Sequence, residues 1–341
     1  MKIAFVPFLF AAAWCLAQEQ ARVITSLNLD QFKSGTSTNC FLQVGENGLG
    51  QPTLIPVIVI KGAKKGPVLG VEAAIHGNEL NGIAVIHRLA RFVEPKTLNG
   101  TIVAVPGVNI PGIVNEDRVF PDLEDLNRIM PGNAKGNESQ VFANRYLKEI
   151  ASQFNYLIDL HTASFGRVNT YYARADLSDP AIEALALVQN CDIILNSREA
   201  STSGGSGTIR SALAEMKIPT VTVELGDPQV FQADMIERGF EGIYNVLAHL
   251  DMIKAKPMVV LHKAVICKKS YWIYTDKGGW LQVHPELSQT VKKGDKIATL
   301  VDAFGAIIKE YHAPEDGIVI GKSTNPLTPT GGRILHLGIL E

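Results

Sequence analysis

Cysteine is scarce: the 341-residue chain has four. Cys15 lies in an apolar N-terminal stretch, and Cys40, Cys191 and Cys267 are far apart in the remainder. Cysteine-based zinc sites need closely spaced pairs, so a zinc finger or ribbon is excluded. At most one pair can be bridged, so the fold is no disulfide scaffold, and the three read most simply as small core residues. Neither sign of charge dominates, with 32 basic against 34 acidic residues and a net charge of −2. The two signs are interspersed, so neither nucleic acid nor an anionic membrane surface is expected as a partner. Beyond the N-terminus no run approaches the roughly 18 apolar residues of a membrane-crossing helix. Internal repeats and low-complexity segments are missing too. What remains is the composition of an ordinary globular protein, long enough for one large domain and a small one.

The N-terminus reads differently. Lys2 precedes the uncharged apolar stretch from Ile3 to Ala13, and Cys15-Leu16-Ala17 puts small residues at −3 and −1 before Gln18. This is the pattern of a secretory signal peptide over residues 1–17. A buried N-terminal helix is one alternative. A lipidated Cys15 is another, although Trp14 stands where lipoprotein signals carry a small residue. The chain is therefore expected to be exported, periplasmic or secreted.

Apolar runs and turn residues predict strands at 56–60, 68–74, 101–105, 156–160 and 193–195, and one ending at Glu224. Helical spacing predicts helices over 81–92, 141–151, 180–189, 209–216 and 232–250. Residues 18–50 read as polar and irregular, an entry strand and loops. The stretch 107–137 reads as a long irregular loop, which inside a compact domain signals function or disorder. Residues 201–207 read as a flexible glycine-serine loop. Alternating strands and helices indicate an α/β sheet covered on both faces. After Met252 the helical period disappears and short strand-like runs take over, which marks an all-β domain. The expected division is residues 1–17, 18–255 and 256–341.

Three apolar strands end in groups that are costly to bury without a partner or a function. One runs into His76-Gly77-Asn78-Glu79, one into His161, and one into Glu224-Leu225-Gly226. Two imidazoles and two carboxylates are the parts of a zinc hydrolase: three ligands and one free acid. His76 and Glu79, three residues apart at a strand-to-helix turn, can reach one ion. Each also has a plainer reading: Glu79 as a first-turn helix acid, His161 as a hydrogen-bonded strand end. Asp159, two residues before His161 on the same strand face, either orients an imidazole or bonds to backbone.

Four segments occur in order: His76-Gly77-Asn78-Glu79, Asp125-Leu126-Asn127-Arg128, Asp159-Leu160-His161-Thr162 and Val223-Glu224-Leu225-Gly226. Together they resemble the succinylglutamate desuccinylase/aspartoacylase family, a branch of the zinc carboxypeptidase superfamily, over most of residues 55–250. The resemblance implies a mixed-sheet, three-layer α/β/α domain with one zinc ion per chain. It implies His76, Glu79 and His161 as zinc ligands and Glu224 as general base. Arg118 is similar to the arginine that stabilises the oxyanion, Asn127 and Arg128 to the pair that binds a substrate carboxylate, and Arg210 to an arginine that reads a second carboxylate. Arg167 and Arg174 are either pocket residues or exposed solubilising ones. The C-terminal part resembles a biotinyl/lipoyl-like sandwich. Its hairpin segment Asp302-Ala303-Phe304-Gly305-Ala306 has no lysine to carry a swinging cofactor, so that domain is expected to pack against or shape the site.

The expected activity is hydrolysis of an amide bond in a small carboxylate-bearing substrate of the N-acyl amino acid type. The alternatives are an exported carboxypeptidase or amidase acting on short or cell-wall peptides, and a non-catalytic binding protein on the same scaffold. No partner beyond the small-molecule substrate is implied, and the oligomeric state is not legible.

Overall fold

A computed structural model describes residues 21–197, 207–255 and 263–340. The signal-peptide segment and residues 201–206 of the glycine-serine loop lie outside them. A 14-stranded mixed sheet runs through the molecule. At its centre the strands Asn99–Val105, Lys64–Ala73, Tyr156–His161 and Thr220–Leu225 lie side by side and parallel. Tyr171–Ala175 joins antiparallel to Thr220–Leu225.

Side-chain alternation along these strands divides the interior into two cores. Leu69, Val71, Ile158, Leu160, Val221, Val223 and Leu225 pack on one side, under helices Asn81–Phe92 and Ala233–His249. Val57, Val103 and Leu157 pack on the other, under helices Glu138–Glu149 and Ile209–Glu215. This is the three-layer arrangement expected. Because the alternate residues are committed to the first core, Asp159, His161, Thr222 and Glu224 all face the second side. Helix Glu138–Glu149 starts ahead of its predicted position because Asn137 caps it, accepting a hydrogen bond from the Gln140 amide at 3.1 Å.

The N-terminal segment holds more strand than the expected entry strand and loops. Thr36–Glu46 is an 11-residue strand paired antiparallel with Pro52–Lys61. Only Cys40, Leu42 and Val44 of it are buried, and the polar residues between and before them mask the alternation. The long irregular stretch contains a five-residue helix, Ile110–Val114, and a short 3-10 turn, Leu126–Arg128.

At the C-terminal side the sheet continues across the expected domain boundary. Val265–Tyr274 pairs parallel with Ile193–Asn196, and Arg333–Leu340 and Gly317–Ser323 follow antiparallel. A separate four-stranded antiparallel sheet covers this extension, with Leu281, Ile297, Leu300, Ile334 and Leu337 in the core between the two. The all-β sandwich is thus built on the edge of the central sheet rather than hung from a linker. Cys40, Cys191 and Cys267 are all buried free thiols, with burial pushing each thiol up to about 11, 12 and 11.

Candidate metal centre and active site

The chain leaves strand Lys64–Ala73 through Ala74, whose φ of 55° turns it out of the sheet. Backbone bonds from Val108 to Ala73 and from Asn109 to Ala74 hold this uncommon conformation at 3.0 and 2.9 Å. His76 and Glu79 follow before helix Asn81–Phe92 begins. Gly77 between them is required sterically: a Cβ there would lie 2.1 Å from the Gly112 carbonyl carbon. The 107–137 stretch is thereby pressed against the motif, and the Gly77 amide donates to the Arg118 carbonyl at 3.4 Å.

His161 ends its strand and is the register partner of Glu224 on the next one. The ring centroids of His76 and His161 are 4.9 Å apart. Donor atoms of His76, Glu79 and His161 lie within 4.8 Å of one another, and all three residues are buried. Each imidazole is held from behind by a carboxylate. His76 Nε2 lies 3.1 Å from Asp125 Oδ1, and His161 Nε2 lies 2.9 Å from Asp159 Oδ2. Both rings therefore turn Nδ1 toward Glu79, at 3.0 Å for His76 and 2.8 Å for His161. The His76 Nδ1 contact has no hydrogen-bond geometry, so a buried ring nitrogen points into the cluster with no hydrogen-bond partner. Two nitrogens and one carboxylate oxygen, converging and fixed by outer carboxylates, suit zinc.

The electrostatics agree. Burial alone would raise the Glu79 carboxyl, but the His76 and His161 imidazoles carry it well below the usual range. Arg118 is bonded into the same cluster. Its Nε and Nη2 donate to Asp125 Oδ2 at 3.1 and 2.9 Å, while Nη1 reaches Glu79 Oε1 at 2.9 Å and Ser164 Oγ. Burial opposes charge on His161 too, and Asp159 and Glu79 outweigh it to hold its pKa well above an ordinary imidazole.

Glu224 stands apart from the ligand cluster. Its Oε2 accepts from Asn169 Nδ2 at 3.2 Å, and Arg174 Nε is 3.8 Å from Oε1. Burial raises its pKa; His161 opposes the rise and Glu79 adds to it. A carboxylate poised above its ordinary range beside this cluster is suited to accept and return a proton.

The eight residues given ligand, catalytic or substrate-binding roles from the sequence line one cavity of about 350 Å³: His76, Glu79, His161, Glu224, Arg118, Asn127, Arg128 and Arg210. Asn127 is fixed by accepting from the Ile209 amide at 2.8 Å, and the Arg128 guanidinium donates to the Asn127 carbonyl at 2.6 Å. Gly207 packs so closely on Arg128 that a Cβ would meet its carbonyl oxygen at 2.0 Å. Arg167 and Arg174 also line the cavity rather than pointing to open solvent. Asp159 resolves as the imidazole holder. Its counterpart Asp125 was visible only as the first residue of a motif, with no role attached. Trp272, Arg333 and His336, from the C-terminal strands, also reach the cavity, and no motif marked them.

Behind Asp159 lies Glu72, its register partner on the neighbouring strand and fully buried. Tyr146 Oη donates to it. Burial, with the Asp159 charge adding to it, raises the Glu72 pKa well above the carboxylate range. The folded state therefore keeps a proton that the unfolded chain releases above its ordinary value of 4.5. Stability contributed at this position is present below that value and is lost as pH rises toward the folded pKa, with a slope of up to about 1.4 kcal/mol per pH unit. Glu72→Gln is expected to flatten the decline as pH rises above the ordinary carboxylate range in urea unfolding. Identical slopes for both proteins would show that Glu72 is ionised in the fold.

Comparison with known proteins gives the family. A family model of the succinylglutamate desuccinylase/aspartoacylase catalytic domain matches residues 65–250. The chain belongs to this family. Among its relatives is the N-alpha-acetyl-L-2,4-diaminobutyric acid deacetylase of Halomonas elongata, 23% identical over 282 residues that span 79% of this chain and 81% of that one. Two solved structures share the fold with a TM-score of 0.80 and 22% identity. The product-bound ectoine utilization protein of Ruegeria pomeroyi covers 89% of this chain and 95% of its own. A succinylglutamate desuccinylase from a Silicibacter species covers 92% and 97%. These coverages exceed the family-matched segment, so the C-terminal β region belongs to the shared architecture.

Proposed function

We propose that this family member is a zinc-dependent amidohydrolase that cleaves an N-acyl amino acid into a carboxylic acid and an amine, with Glu224 as general base. What supports the reading is the convergence of two carboxylate-held imidazoles and Glu79 beside an acid that takes no part in their cluster. The relative that deacetylates an N-acetylated diamino acid supports the same reaction class.

His76, Glu79 and His161 would hold the metal. When bound, zinc supplies Lewis acidity, polarising a carbonyl and lowering the pKa of water toward about 7. The remaining work falls to side chains. Asn127 and Arg128 hold the carboxylate of the amino acid, and Arg210 would read a second carboxylate where the amino acid carries one; a guanidinium fits a carboxylate through two parallel hydrogen bonds. Arg118, anchored on Asp125, offers its Nη1 end to the oxygen that gains negative charge as the amide carbon becomes tetrahedral. Glu224 takes a proton from the attacking water as the new C–O bond forms. It returns that proton to the amide nitrogen as the C–N bond breaks, so the amine leaves neutral.

The test is a metal analysis followed by a screen of N-acyl amino acids against short peptides. The expected result is one zinc per chain and turnover of N-acyl amino acids. Turnover confined to peptides would favour the carboxypeptidase reading, and a folded, zinc-free, inert protein would favour a binding protein. The signal-like residues 1–17 support an exported setting; recovery of the cytosolic protein with Met1 retained would remove it.

A further inference from the structure

Arg167 and Arg333 are not absorbed by this mechanism. Strand Arg167–Asn169 pairs with Gly317–Ser323, and Arg333 opens the strand paired with Val265–Tyr274. Both guanidiniums lie over the indole of Trp272, at 5.9 and 5.6 Å from the ring centroid. His336, the register partner of Trp272, stacks on it with centroids 5.3 Å apart and an interplanar angle of 12°. Burial, with Arg174 and Arg167 adding to it, pushes the His336 imidazole down to about 3, so a neutral ring backs the platform. Two cations are thus collected around one indole ring, and among the described residues neither has a carboxylate within ion-pair distance. Burial, together with Arg333 and Arg118, makes the Arg167 cation costlier than an exposed one, against a smaller opposing effect of the Glu79 and Glu224 carboxylates. Such a pair is stabilised by an incoming anion.

Its position matters as much as its charge. Arg167 and Arg333 line the catalytic cavity and also an adjoining groove of about 320 Å³, whose walls include Phe165, Tyr274, Asn325 and Leu327. Phe165, Tyr274 and Leu327 are large apolar side chains left exposed. A ligand held at the catalytic cavity can therefore extend between the two arginines into a partly apolar channel.

We propose that Arg167 and Arg333, seated on Trp272, form an outer anion subsite that reads an acidic group on the acyl side of the substrate, several bonds from the scissile amide. The proposal rests on the amidohydrolase reading for the identity of the acyl side, and it adds an acid on that side to the amino-acid carboxylates assigned to Asn127, Arg128 and Arg210. The C-terminal β region thereby acquires a role in recognition, because its strands bring Trp272, Arg333 and His336 to the cavity. The shared chemistry is a terminal carboxylate on an extended acyl chain, supplied either by a dicarboxylic acyl group or by an acidic residue of a peptide.

The test uses binding to the full-length, zinc-loaded Glu224→Gln protein, so that turnover is not needed. Three glycine conjugates serve as probes: N-pentanoylglycine, N-glutarylglycine, which carries a terminal carboxylate, and γ-glutamylglycine, which adds an ammonium beside it. The glutaryl compound should bind about tenfold more tightly than the pentanoyl compound, and the ratio should shrink as salt is raised. Adding Arg333→Gln, at an exposed position, should reduce the ratio, and Arg167→Gln with Arg333→Gln should bring it near one. γ-Glutamylglycine binding as tightly as the glutaryl compound identifies a peptide source, and weaker binding identifies a dicarboxylic acyl group. A parent ratio near one, undetectable binding of both compounds included, overturns the subsite, as does a ratio that survives the paired substitution. A preserved ratio with a wild-type chain inert toward every N-acyl amino acid removes the hydrolase reading and keeps the subsite. Hydrolysis with no ratio does the reverse.

Discussion

Glu224→Gln is expected to retain one zinc per chain and to lose about two to four powers of ten in turnover of an N-acyl amino acid. The amide preserves volume and still offers an oxygen to Asn169, which donates to Glu224 at 3.2 Å, so the cavity wall is left in place. Because Glu224 lies outside the cluster of His76, Glu79 and His161, zinc content should not change. What disappears is a group able to accept a proton from water and release it to the leaving nitrogen. The loss should fall on kcat rather than KM, since Asn127, Arg128 and Arg210 are untouched. Near-full turnover by this variant would move the base elsewhere in the cavity.

The second large effect concerns the metal. His161→Ala is expected to retain less than about a tenth of an equivalent of zinc after dialysis, because two remaining donors do not hold a tetrahedral ion. Asp125→Asn and Asp159→Asn should act more mildly, weakening zinc by about 10–100-fold in competition with a chelator. The asparagine side chain can still meet the imidazole, but it brings no negative charge to polarise Nε2–H and strengthen Nδ1 as a donor. Binding should release protons, since Asp159 and Glu79 hold the His161 pKa well above its usual value. Circular dichroism would separate lost metal from lost fold. One equivalent of zinc in His161→Ala, or unchanged affinity in both asparagine variants, would show that the ion sits elsewhere.

Much of the site is legible in the residue order. Short apolar runs ending in His161 and Glu224 announce buried strands with costly termini, and the structure pairs those two residues in register on adjacent parallel strands. The His76–Glu79 spacing places two groups on one strand-to-helix turn. Arg118, Asn127 and Arg128 stand out because an unstructured stretch of that length is rare without a function. Asp125 escapes because its partner, His76, is 49 residues away, and local pattern carries no information about which acid meets which imidazole. Strand Thr36–Glu46 escapes because its buried residues alternate with polar ones over only part of its length.

Taken alone, the order of apolar runs, turns and polar strand ends determined the layered α/β architecture and singled out His76, Glu79, His161 and Glu224 as candidate site residues. All of these depend on periodicity and on the cost of burying charge, which act over a few residues. The tertiary structure decided the rest. It set Asp125 and Asp159 behind the two imidazoles, isolated Glu72 as a buried acid, and continued the central sheet into the C-terminal strands so that Trp272, Arg333 and His336 reach the cavity. Those outcomes follow from strand pairing between segments as distant as residues 193 and 265. Pairing at such separation is selected by packing of the whole chain, not by the residues beside each strand.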